Sequence, residues 1–87
     1  MAPSLDSLRQ EIDGLDRDLH GLIRRRADIV GRISATKPAG GLALRPGREA
    51  QVMRQRIATH DGSFPVGAVY RMWREMMSAF TLMQTPG

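Results

Sequence analysis

The chain has 87 residues, 41% hydrophobic and 25% charged, with a net charge of +4, which describes one small domain (1–87), too apolar to be disordered and short enough to complete its core by association. The absence of cysteine excludes a disulfide framework and a thiolate metal site. No apolar run approaches the ~20 residues of a membrane span, and no charged region followed by an apolar stretch opens the chain, so no membrane association and a cytoplasmic location are expected.

The first predicted element is a helix from about Leu5 to Thr36. Leu5, Leu8, Ile12, Leu15, Leu19, Leu22, Arg26, Ile29 and Ile33 recur at alternating spacings of three and four, which keeps one stripe of a helix turned toward a partner. Ser4 is the expected N-cap and Asp6 lies in the first turn. Gly14 and Gly21 fall off the seam. Lys37-Pro38 ends the helix, because a residue before proline is pushed out of helical geometry. A helix of that span measures roughly 48 Å, longer than the remainder of the chain can cover. Pro38 to Gly41 is a connection and Leu42 to Leu44 a short apolar tether. Pro46 and Gly47 lead into a second helix, about Arg48 to Thr59, with Val52, Met53 and Ile57 inward. Asp61-Gly62 is a turn. Ser63-Phe64-Pro65 reads as a cap and a first-turn proline for a third helix, Val66 to Gln84, with the stripe Val69, Met72, Trp73, Met76, Phe80 and Met83. No segment shows the alternation of a strand, so the predicted class is all-α: long, short and medium helices.

The seam holds an arginine where a leucine belongs. A guanidinium in a packed seam is costly unless an anion meets it, and the next step of the rhythm reaches Lys37, the only lysine. Arginine supplies nearly all the positive charge, which suits planar recognition of carboxylate or phosphate. Snorkelling explains Arg24 and Arg25, and offers a structural explanation for Arg26 too. Lys37 at a helix end also suits the helix dipole. Arg48 at a helix start does not, which favours a ligand role; Glu49 beside it is favourable there. Gln84 places an amide on the inner face of helix 3. Arg9 lies roughly 25 Å along the helix from Arg26, so the two meet at one small ligand only if two copies of helix 1 pair antiparallel. The over-long helix asks for the same partner: a two-fold homodimer with two shared pockets. His20 and His60 have no companions at metal-ligand spacing, and no nucleophile motif or phosphate-cradling glycine loop is present.

Four stretches together resemble the all-helical chorismate mutases: Leu8-Arg9-Gln10-Glu11-Ile12-Asp13 with Leu15-Asp16; Arg24-Arg25-Arg26-Ala27 with Ile33 and Lys37; Arg48-Glu49-Ala50-Gln51-Val52; and Trp73-Arg74-Glu75-Met76-Met77-Ser78-Ala79 with Gln84. The resemblance covers nearly the whole chain. It implies an intertwined antiparallel homodimer of three-helix subunits that rearranges chorismate to prephenate, toward phenylalanine and tyrosine, with no cofactor and no metal. Carried over by position, Arg26 and Arg48 bind the substrate carboxylates of one pocket and Arg9 arrives from the other subunit. Lys37 and Gln84 donate to the ether oxygen, and Glu49 contacts the ring hydroxyl. Two positions depart from the pattern. Arg45 stands where many relatives have an acidic residue, and Phe80 where many have a pocket-lining serine, so that Phe80 either narrows the site or turns inward as core.

Two other readings stand beside this one. An isochorismate pyruvate lyase-like enzyme would use a similar basic set on the same fold. A non-catalytic helical dimer binding nucleic acid or protein would need a solvent-facing basic stripe with stacking side chains. Arg17, Arg24, Arg25, Arg32, Arg54 and Arg56 offer charge, but acidic residues are interspersed and the aromatics fall on apolar faces, so no nucleic acid is expected. Convergence of Arg26, Lys37 and Gln84 on one cavity separates enzyme from binding module.

Overall fold

The computed structural model describes residues 4–36 and 46–84. Three helices follow in order: α1, Leu5–Thr36; α2, Pro46–Thr59; and α3, Val66–Gln84. No strand occurs among the described residues. The ends of α1 and α3 fall where the sequence predicts them. The start of α1 is capped as expected: the Ser7 amide donates to Ser4 Oγ at 3.0 Å, and the Leu8 amide to the Ser4 carbonyl at 3.1 Å.

One predicted start and the placement of one proline need correction. Helix α2 begins at Pro46, not Arg48. Proline lacks the N–H that a first helical residue would leave unpaired, and its fixed φ suits the first turn. Pro65 is not in the first turn of α3 but just before it, where its carbonyl accepts from the amides of Ala68 at 3.0 Å and Val69 at 3.3 Å. The turn between α2 and α3 is tied by His60. Its amide donates to the Ile57 carbonyl at 3.3 Å, and its Nε2 lies 2.6 Å from the Phe64 carbonyl oxygen. A carbonyl only accepts, so Nε2 carries the proton there. The His60 and Phe64 rings meet edge to face, 6.4 Å apart and 78° between planes. Gly62 takes φ 91°, which a side chain would resist.

Helix α3 is the centre of the molecule. It touches both α1 and α2, which do not touch one another among the described residues. It therefore packs on two sides, and its core residues Val69, Met77 and Phe80 lie within about 80° of one another around the helix. Toward α2 it turns a second, mixed stripe of Tyr70, Arg74, Met77 and Thr81. Met72 and Met83, predicted inward, are exposed, as is Ile57 of α2.

The seam of α1 is open. Its eight Leu and Ile positions are between 41% and 67% exposed. Helix α3 touches α1, with Phe80 under Arg26, and the half-buried residues that follow on α1, Ala27, Val30 and Ser34, lie on the flank beside the seam. Small side chains there let the helices approach while the bulky ones stay outward. The result is elongated, 59 × 24 × 17 Å, with a radius of gyration of 16.8 Å, against about 12 Å for a compact chain of this length. The accessible surface is 7286 Å², where a compact monomer of this mass exposes roughly 5,100 Å². No described helix is long and apolar enough to cross a membrane.

Candidate active site

Successive residues of a helix point about 100° apart. Phe80 and Thr81 use that angle to reach opposite neighbours. Phe80 faces α1, where the guanidinium carbon of Arg26 sits 4.8 Å from its ring centroid. A cation over a ring in a partly desolvated place is stabilised by about 1 kcal/mol. Thr81 faces α2, and its Oγ1 donates to Glu49 Oε1 at 3.1 Å. Glu49 lies in the first turn of α2, where the helix dipole favours a negative charge. Thus Arg26 and Glu49, from separate helices, are brought to adjacent residues of a third.

The other predicted site residues stand apart from this cluster. Arg48 is exposed, and its Nη1 donates along its own helix to Gln51 Oε1 at 2.9 Å. Arg9 is exposed on the N-terminal half of α1, roughly 25 Å from Arg26 along the helix. Lys37 lies outside the described residues, as do Arg45 and the side chain of Gln84, although Gln84 itself closes α3. Of the two expectations for Phe80, the structure selects core: the residue is 7% exposed. Arg26 does not sit in a packed seam of its own chain, as the rhythm of α1 suggested. It leans from the edge of an open seam onto α3, because α3 packs on the flank.

A groove of about 800 Å³ runs between α2 and α3, lined among others by Glu49, Met53, Arg54, Tyr70, Arg74 and Thr81. Arg26 and Arg48 are not among its walls. Glu49 and Thr81 belong to the end where α2 starts and α3 stops, so the charged cluster and the groove share one corner. Sequence reasoning missed Thr81, Tyr70 and Arg74 as groove residues, and weighed Arg54 only as surface charge. The available signal was the spacing 70, 74, 77, 81, a second helical stripe whose mixed polarity hid it from an apolar pattern search. Arg56 also changes standing. Its guanidinium carbon lies 6.0 Å from the Trp73 ring centroid, so it leans on the α3 surface and adds little to a free basic stripe. Among the described residues no three His, Asp or Glu side chains gather where a metal could be held.

Comparison with known proteins identifies the family. The family model for chorismate mutase type II matches residues 8–85. The bifunctional chorismate mutase/prephenate dehydratase of Aquifex aeolicus is 32% identical over 80 residues, covering 86% of this chain and 22% of the relative. The bifunctional chorismate mutase/prephenate dehydratase of Neisseria gonorrhoeae is 31% identical over 90 residues, 99% of this chain and 25% of the relative. The intracellular chorismate mutase of Mycobacterium tuberculosis is 39% identical over 54 residues, 61% of this chain and 51% of the relative. The chain thus spans between about a quarter and a half of the length of these curated relatives. Three helices and no strand among the described residues, with the family's pattern running from the first turns of α1 to the end of α3, place this chain in the chorismate mutase type II family.

Proposed function

We propose that the chain is a chorismate mutase, an isomerase that converts chorismate to prephenate in aromatic amino-acid biosynthesis. The observation that carries the reading is the family match spanning 8–85, to which the structure adds that Arg26 and Glu49 are held by consecutive residues of α3. The substrate carries two carboxylates, a ring hydroxyl and an ether oxygen that gains negative charge as the C–O bond breaks. The rearrangement is intramolecular and asks for no nucleophile. A protein accelerates it by holding the compact chair form and by placing donors at the oxygen where charge develops. Arg26 and Arg48 supply guanidinium groups for the carboxylates, Glu49 an acceptor for the hydroxyl, and Lys37 and Gln84 the donors at the ether oxygen.

The site is completed by a second copy. The open seam of α1, with some 2,000 Å² of surface beyond that of a compact monomer, supports a homodimer in which two α1 helices pair antiparallel. That pairing carries Arg9 of one protomer toward Arg26 of its partner. The three helices act as a single domain (1–87), located in the cytoplasm. No observation favours the isochorismate pyruvate lyase or the nucleic-acid or protein-binding alternative.

The test is direct. Purified protein mixed with chorismate should deplete its ultraviolet absorbance at a rate proportional to enzyme, with prephenate confirmed after acid conversion. Unchanged absorbance with folded protein refutes the reading.

A further inference from the structure

We propose that Phe80 and Thr81 are positioning residues: Phe80 holds the Arg26 guanidinium for a substrate carboxylate, and Thr81 aims the Glu49 carboxylate at the substrate hydroxyl. The inference rests on the mutase reading above and assigns roles to two side chains that reading leaves unused. Phe80 is buried against α1, and Arg26 lies over its ring at 4.8 Å. Arginine on a helix surface has many rotamers, and most direct its charge away from any single ligand. The ring restricts that freedom without consuming a donor. A π-face attracts the cation through its quadrupole, while the in-plane N–H groups remain for a bidentate carboxylate.

Thr81 does the same for the opposite charge. Its hydroxyl donates to Oε1 of Glu49 at 3.1 Å, which restrains the carboxylate and leaves Oε2 to accept from a substrate donor. Because Phe80 and Thr81 are consecutive in a rigid helix, the spacing between the cationic and anionic groups is set by one residue step of α3, about 100° around its axis. Neither residue needs to touch the substrate to define its orientation.

The experiment uses the full chain and four substitutions. Phe80→Leu keeps an apolar core residue but removes the ring; it should raise KM for chorismate about 10-fold with kcat within about 3-fold, since a carboxylate clamp acts on ground and transition states alike. Phe80→Tyr retains the ring and should stay within about 2-fold of wild type. Thr81→Val, isosteric without the hydroxyl, should raise KM about 5-fold, and Thr81→Ser should restore it. Side-chain NMR supplies a readout independent of turnover: in the wild type, ring shielding should move the Arg26 Hε resonance upfield of the other arginines, and Phe80→Leu should abolish that shift. Wild-type turnover with an unshifted Arg26 resonance overturns the role of Phe80, as does a folded Phe80→Leu enzyme with wild-type KM. A Thr81→Val enzyme with wild-type KM overturns the role of Thr81. If Phe80→Leu does not fold, the wild-type Arg26 resonance decides alone. Absence of wild-type turnover overturns the mutase reading first, and the positioning roles with it.

Discussion

Thr81 of α3 and Glu49 of α2 are joined by a 3.1 Å hydrogen bond across 32 positions of sequence, and the residue before Thr81 supports Arg26 of α1. A single step along α3 thus ties together two helices that do not meet each other among the described residues. Phe80 carries the packing half of that tie. Phe80→Ala should lower stability by about 3–5 kcal/mol, the range for deleting a buried ring. Urea denaturation checks it; a loss below about 1 kcal/mol would show that the ring is not part of the core.

The open seam predicts a dimer at micromolar concentration. Its basis is the surface of 7286 Å², roughly 2,000 Å² more than a compact chain exposes. Sedimentation equilibrium should give twice the chain mass. A compact folded monomer at that concentration would sink the shared-pocket arrangement.

Lys37 is the proposed donor to the developing oxyanion. Lys37→Ala should cost roughly 3 kcal/mol of transition-state stabilisation, about 10²-fold in kcat. The fold should survive, because α1 ends at Thr36. Near-normal turnover by the folded variant would remove Lys37 from the mechanism.

Arg9 and Arg26 provide a test of pocket sharing. With Arg9→Ala and Arg26→Ala each inactive, a mixed dimer holds one pocket lacking both arginines and one lacking neither. Refolding an equimolar mixture should restore about a quarter of wild-type activity, since roughly half the dimers are mixed and each has one intact site. Mixing without subunit exchange should restore none. Verified exchange with no recovery would place Arg9 elsewhere.

Two glycines should respond with opposite signs. Gly62 has φ 91°, so Gly62→Ala should destabilise by about 1–2 kcal/mol through backbone strain. Gly31 is helical and exposed, with open space where a Cβ would stand; Gly31→Ala should stabilise by about 0.5–1 kcal/mol. Thermal melts of both variants at equal protein concentration are the check, and a stabilised Gly62→Ala would contradict the left-handed turn.

The sequence revealed most where a physical rule is local. Ser4 as a cap, proline beyond Lys37 and the start of α3 at Val66 all depend on neighbours a few residues away, and the helix bounds follow from them. Packing was less legible, because a periodic stripe shows that a face is apolar without saying what covers it. The leucine seam of α1 promised a core, yet it stays open, and Ala27, Val30 and Ser34 on the flank beside it are half-buried instead. Arg26 was legible as a cation in a leucine seam, and Glu49 as a candidate through the family resemblance. Thr81 was not, because a hydroxyl beside a buried phenylalanine carries no signal until the fold brings a carboxylate to it.

The uncovered seam of α1 also bears on how the protein survives dilution. A lone copy displays eight large aliphatic side chains along one rod, a surface that water penalises and any similar rod relieves. On the dimer reading, folding and pairing become one equilibrium. Its midpoint temperature should climb with protein concentration, and thinning the solution should melt the helices as surely as warming it.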